Sequence, residues 1–308
     1  MKRSVFCIAF VFIAYCLMAQ TPTVNKGRIQ HFEQFPSAFV TARNIDVWLP
    51  ENYSSKKKYA VVYMHDGQML FDSSITWNKQ EWGVDECLST LLEKNQIRHC
   101  IVVGIWNGGA NRHIEFCPQK PFEALPQSYR DSILPNATRS NGNQVFSGKV
   151  KSDLYLQFIV KELKPFIDRQ FSTKKNAANT FLMGSSMGGL ISLYGVCEYP
   201  KVFGGAACLS THWPVLFSTD RNPFPKAIQE YLVTHLPNHL SHIFYFDYGD
   251  QTLDAMYKPY QMAVDSIMQA KGYGPGNWLT LECMGADHSE RSWKKRLDKP
   301  MLFLLRKK

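Results

Sequence analysis

Short apolar runs alternate along this chain with segments whose apolar residues recur at helical spacing. Residues 28–35 and 44–49 read as two short antiparallel opening strands. Tyr59-Ala-Val-Val-Tyr-Met64 is too short for a helix and rich in β-branched residues, so it reads as a buried strand, as does Cys100-Ile-Val-Val-Gly-Ile105. Residues 81–94 place Val84, Leu88, Leu91 and Leu92 on one helical face, and 153–171 form a second amphipathic helix. Further strands are expected at 180–186, 205–209, 243–248 and 278–284. Helices are expected at 187–198, 224–234, 255–270 and 291–305. Unbroken apolar strands between helices imply an α/β protein whose mostly parallel central sheet is covered on both faces.

Residues 107–150 interrupt this rhythm with scattered Gly, Asn, Pro and Ser and little periodicity. A long irregular segment inside a compact domain is usually either functional or disordered. This one follows a strand, on the side where ligands bind in open α/β sheets, and is expected to form a lid or pocket wall.

A chain of 308 residues, 45% hydrophobic, can bury a full core as one domain. Its start reads as a secretory signal over 1–19, with Lys2 and Arg3 before an apolar core and Leu17-Met-Ala19 offering cleavage before Gln20. The apolar stretch is marginal for a membrane span, and bulky Tyr15 argues against Cys16 as a lipoprotein cysteine. The mature chain, 20–308, is expected to be a single exported domain, periplasmic or secreted, without stable membrane insertion. Its 35 basic and 26 acidic residues give +9, and loss of Lys2 and Arg3 leaves +7. The basic clusters are short and lack interleaved aromatics, so a nucleic-acid partner is not expected.

Six cysteines outlast the leader, widely spaced and mostly in apolar contexts, which reads as buried free thiols. His235 and His239 stand four apart with no flanking acid, so no metal site is indicated.

The chemistry centres on Gly184-Ser-Ser-Met-Gly188, a G-x-S-x-G pattern between a predicted strand and a predicted helix. The sharp turn leaves no room for Cβ atoms at 184 and 188 and holds the Ser186 hydroxyl above the sheet. Unpaired N–H groups of the following helix lie beneath it. A serine hydroxyl needs a base, and the base an orienting acid; in this architecture they follow in the order Ser, acid, His. His288, in Gly285-Ala-Asp-His-Ser-Glu290, is the histidine placed after the final strand. The acid should follow strand 243–248, where Asp247, Asp250 and Asp254 stand. Asp247 lies within the strand; Asp254 is favoured over Asp250, although Asp254 could instead cap the next helix. An oxyanion hole needs two backbone donors. Met187 is one expected donor, and Gln68, beside Gly67, the other, with Met69 next. His65 and Asp66 precede the serine and are assigned to shaping that loop. Trp106, His212 and Trp213 follow strands on the same side and are candidate substrate-binding residues.

Together these motifs resemble a known family. Tyr63-Met-His-Asp-Gly-Gln-Met-Leu-Phe71, Val102-Val-Gly-Ile105, Glu162-Leu-Lys-Pro-Phe-Ile-Asp168, the elbow, Tyr199-Pro-Lys-Val-Phe203 and His288 before Trp293 are similar to the putative esterase family. This is the esterase D-like branch of the α/β-hydrolases, with feruloyl, acetyl-xylan and enterochelin esterases among its members. The resemblance spans about residues 40–306. It implies an α/β-hydrolase fold, Ser186 as nucleophile, His288 as base, an acid after Gly249 and no cofactor. Many members carry that acid about three residues past the glycine, where this chain has Thr252. The resemblance and the leader imply an exported serine carboxylesterase acting through an acyl-enzyme on acetyl or feruloyl esters of polysaccharide. A siderophore-ester hydrolase, acyl transfer to a sugar and a non-catalytic carbohydrate-binding relative are the alternatives.

Overall fold

The computed structural model describes residues 21–139 and 141–307; the expected leader, with Cys7 and Cys16, lies outside the described residues. Eight strands form one sheet: β1 Arg28–Phe35, β2 Arg43–Leu49, β3 Ala60–His65, β4 Cys100–Ile105, β5 Thr180–Ser185, β6 Gly205–Leu209, β7 Ile243–Gly249 and β8 Trp278–Cys283. Their order is β1-β2-β4-β3-β5-β6-β7-β8. The first two strands run antiparallel along one edge, and β3 to β8 pair in parallel. This is the mostly parallel α/β-hydrolase sheet.

Alternation along each central strand sends side chains to two separate cores. Val61, Tyr63, Ile101, Val103 and Leu182 face one layer, with Phe158, Ile159, Leu190, Ile191, Ile228 and Val264 from the covering helices. Val62, Met64, Val102, Phe181 and Met183 face the other, against Val84, Leu88, Leu91, Met301 and Leu304. The central parallel strands β3 to β6 are buried along their whole length because both faces are covered, whereas the edge strand β8 is only partly buried and carries Thr280 and Glu282.

Helix boundaries differ from the sequence reading where backbone constraints act. The first helix begins at Val84, because Gly83 turns the chain at φ 60°. Residues 152–170 contain a π-helical turn, Phe158–Leu163, between α-helical ends. The last expected helix divides into Glu290–Lys294 and Asp298–Leu305. Residues 252–256 form a 3-10 turn, Thr252–Met256, before helix Lys258–Ala270.

The irregular segment contains short helices at Arg112–Phe116, Gln119–Glu123 and Gln127–Asn136. It buries Phe116, Phe122, Leu125, Val145 and Phe146 in the first core. Its apolar side chains therefore fasten it to the domain. No helix among the described residues is long and apolar enough to cross a membrane.

Among the described residues the six cysteines are free thiols, four of them buried. Burial pushes the thiols of Cys87 and Cys100 up to about 12, so both stay protonated and unreactive at neutral pH.

Candidate active site

The parallel strands all deliver their carboxyl ends to one edge of the sheet, where open α/β sheets bind ligands. There β5 turns into helix Met187–Glu198 through Ser186, whose backbone is held at φ 57°, ψ −123°. A bulky non-glycine residue in that region is strained and persists only where its surroundings impose it. The Ser186 N–H donates to the Leu209 carbonyl of β6, and the Ser186 carbonyl accepts from Gly189 and Leu190.

Gly184 permits this turn, since a Cβ there would lie 2.8 Å from the Gly188 backbone. At Gly188 the expectation of no space is corrected. Its nearest neighbours would be Asp66 Oδ2 and His65 Cβ at 3.5 Å, ordinary contact, because a Cβ at 188 points toward the end of β3 and not into β5.

His288 follows β8 and meets Asp254, which follows β7, through Nδ1···Oδ1 at 2.5 Å. Asp254 is fully buried and also accepts from Ser210 Oγ at 2.5 Å and Gly249 N–H at 2.7 Å. Burial alone would raise its pKa. The hydrogen bond and charge of His288, followed by the Ser210 and Gly249 bonds, outweigh that effect and hold the carboxyl below its ordinary value. Ser210 is itself anchored, accepting from Trp293 Nε1 and the Arg296 guanidinium, both at 2.9 Å.

The other two aspartates are engaged elsewhere. Asp247 pairs with Arg296 at 3.0 Å and accepts from Tyr245. Asp250 accepts from the Gly285 and Gln251 nitrogens, clasping two loops together. Thr252, where the family resemblance implies the acid, instead accepts the His288 backbone N–H at 3.0 Å. Asp254 is two residues further on, and the 3-10 turn carries its carboxylate back beneath the histidine.

Ser186, Met187, Gln68 and His288 line one cleft of about 660 Å³. The backbone N–H groups of Met187 and Gln68 have no hydrogen-bond partner among the described residues. Gln68 owes its position to Gly67, where a Cβ would lie 2.6 Å from the Gly104 carbonyl carbon of β4. Met69 N–H is already spent on the Asp66 carbonyl, which leaves Gln68 the freer donor. His65 is buried against the Tyr155 hydroxyl at 2.8 Å, and burial lowers its pKa to about 3. Asp66 takes a bidentate pair from Arg112, at 2.6 and 2.7 Å, and a bond from Asn107 Nδ2. These contacts lock the β3 loop to the β4 loop.

Of the candidate substrate-binding residues, only His212 lines the cleft. Trp106 is corrected to a structural role: its Nε1 donates to Asp46 Oδ2 at 2.5 Å, in a cluster with His31. Trp213 is buried and donates to Gln261, so it too is a packing residue. Following a strand fixes which edge of the sheet a residue occupies, but not which way its side chain turns. The aromatic residues at the cleft are instead Trp77, Trp82, Phe217 and Trp293, with Trp77 standing exposed at the rim.

Tyr257 escaped the sequence reading. Its buried hydroxyl bonds His212 Nδ1 at 2.8 Å, and its ring meets the His288 ring edge-on at 5.9 Å. A tyrosine one turn past the acid has no local signature.

The model of the family described as "Putative esterase" matches residues 37–301. The uncharacterised Bacillus subtilis (strain 168) protein YjcH is 26% identical over 180 residues, 58% of this chain and 60% of that protein. The YbbA protein of the same strain is 25% identical over 173 residues, 56% of this chain and 58% of its own length. The chain thus aligns with about 60% of the length of these curated relatives. Among solved structures, the ferulic acid esterase of Anaeromyces mucronatus superposes with a TM-score of 0.59 at 15% identity, covering 92% of each chain. The enterobactin esterase of Shigella flexneri gives 0.61 at 15% identity over 92% of this chain and 60% of its own. An IroE-like serine hydrolase from Shewanella oneidensis gives 0.61 at 19% identity over 90% of this chain and 79% of its own. These structural likenesses show the fold, and the match over most of its length places this chain in the putative esterase family of the α/β-hydrolases.

Proposed function

We propose that the chain is an exported serine carboxylesterase that works through an acyl-enzyme. The observation that carries this reading is the buried Asp254 bonded to His288 in the cleft that holds the strained Ser186. In this mechanism His288 Nε2 takes the Ser186 hydroxyl proton as Oγ attacks the ester carbonyl. Asp254 keeps the other ring nitrogen protonated and stabilises the imidazolium that forms. The tetrahedral oxyanion is received by the Met187 and Gln68 N–H groups, each contributing about 3 kcal/mol of barrier reduction. Collapse of the intermediate breaks the bond to the leaving oxygen, which takes the proton from His288. Water, deprotonated by the same histidine, then releases the acid and restores Ser186.

Acetyl or feruloyl esters of polysaccharide are the leading substrate class. The open cleft with Trp77 at its rim supports it, since an exposed indole face suits a sugar ring or a phenol. Fold similarity to an enterobactin esterase supports a siderophore ester as the second reading. The intact Ser186, Asp254 and His288 arrangement favours catalysis over a non-catalytic carbohydrate-binding role.

A fluorophosphonate probe tests the nucleophile. It should modify Ser186 and no other serine, as located by peptide mass spectrometry, and Ser186→Ala should remain unlabelled. Labelling elsewhere, or none, would remove Ser186 from the mechanism.

A further inference from the structure

The cleft has two chemically different halves. His288 hands a proton to the leaving alcohol, so that alcohol lies on the His288 side, with Glu290, Asn78 and Trp77. The acyl group therefore extends the other way, into the half walled by Arg112, His113, Arg139, His212 and Phe217.

That half is basic. Arg112 is neutralised by Asp66, and the Glu115 carboxylate behind it is taken by Arg43 and Lys151. Arg139 makes no ion pair among the described residues; its guanidinium instead lies 5.0 Å over the Phe217 ring. The same ring sits 5.3 Å from His212, so Phe217 contacts both the arginine and the histidine. His212 and His113 are each only 1% exposed. The Val215 backbone lies beside His113 and the Leu216 backbone beside His212, whose Nδ1 bonds the Tyr257 hydroxyl. Burial keeps both rings neutral, His212 with a pKa of about 3, so Arg139 supplies the charge of this half.

We infer that the acyl half of the cleft is built for an acyl group ending in a carboxylate, with Arg139 as the residue that selects it. A planar guanidinium already braced on an aromatic ring matches a carboxylate through two parallel hydrogen bonds and loses little freedom in doing so. The inference rests on the serine esterase mechanism alone: it sets an acyl group ending in a carboxylate against the acetyl or feruloyl group named above, and it leaves the alcohol open.

The test compares p-nitrophenyl hemiglutarate with p-nitrophenyl butyrate, acyl groups of similar reach that differ in the terminal charge. The wild-type protein should favour the hemiglutarate in kcat/KM by about tenfold, roughly one charge-assisted hydrogen bond, and the preference should shrink as salt is added. Arg139→Gln should bring the ratio toward unity and Arg139→Lys should retain part of it. Thermal melting of both variants establishes that they fold. A wild-type preference for butyrate, or a preference untouched by Arg139→Gln, overturns the inference and leaves the esterase reading standing. If neither ester is turned over faster than by Ser186→Ala, both fail together.

Discussion

Asp254 is separated from the other carboxylates by its donors. The three aspartates at the end of β7 are close in sequence, yet only Asp254 reaches His288; Asp247 neutralises Arg296 and Asp250 holds a loop. Asp254→Asn removes the charge that stabilises the imidazolium and presents the wrong partner to Nδ1, so kcat should fall by about 10³–10⁴. Asp250→Asn should stay within about tenfold of wild type, as expected for a group outside proton transfer. Steady-state kinetics on one simple ester measures both, and a larger loss at Asp250 would reverse the assignment. Ser186 and His288 were legible because each carries a local signature: a glycine-flanked turn after a strand, and a polar loop after the last strand. Ser210, Tyr257 and Arg296 have none. They are brought in by the packing of separate strands and helices, which spacing along the chain does not encode. Trp106 and Trp213 were misread for a related reason, since position after a strand leaves side-chain direction undetermined.

At the scale of elements, the strand-to-helix joint at β5 does most to create the site. The sequence reading treated Gly184 and Gly188 alike, and the structure separates them by their surroundings. Gly184→Ala forces a Cβ into the Gly188 backbone and should destabilise the fold by about 1–3 kcal/mol, as overpacking does. Gly188→Ala meets only ordinary contacts and also gains helix propensity, so it should be near neutral in stability, within about 1 kcal/mol. Urea unfolding of the two variants distinguishes these outcomes. Strands and long helices were readable from periodicity, because the parallel sheet buries its strands on both faces. The irregular segment was readable only as an interruption. Its short helices owe their place to Phe116, Phe122 and Phe146 docking on the core. Three such aromatics spread over thirty residues form no period.

Across the whole molecule, buried histidines set the response to acid. His65 and His212 have folded pKa values of about 3, whereas an unfolded histidine titrates near 6.5. Both are depressed, so each contributes stability that is complete above about pH 6.5 and is lost as the pH falls through the folded value near 3. Within that window each adds about 1.4 kcal/mol per pH unit to the slope of unfolding free energy. The slope between pH 6 and pH 4 should therefore drop by about one proton's worth in His65→Gln. Denaturant titrations at several pH values measure it, and an unchanged slope would mean that His65 titrates normally in the fold.

The central claim is that Ser186, activated by His288 and Asp254, performs ester hydrolysis, and p-nitrophenyl acetate turnover by the purified protein tests it most directly. Wild-type protein should turn the ester over catalytically, and Ser186→Ala should be slower by about 10³-fold or more, the loss expected when a nucleophile is removed. Equal rates in the two proteins would contradict the account.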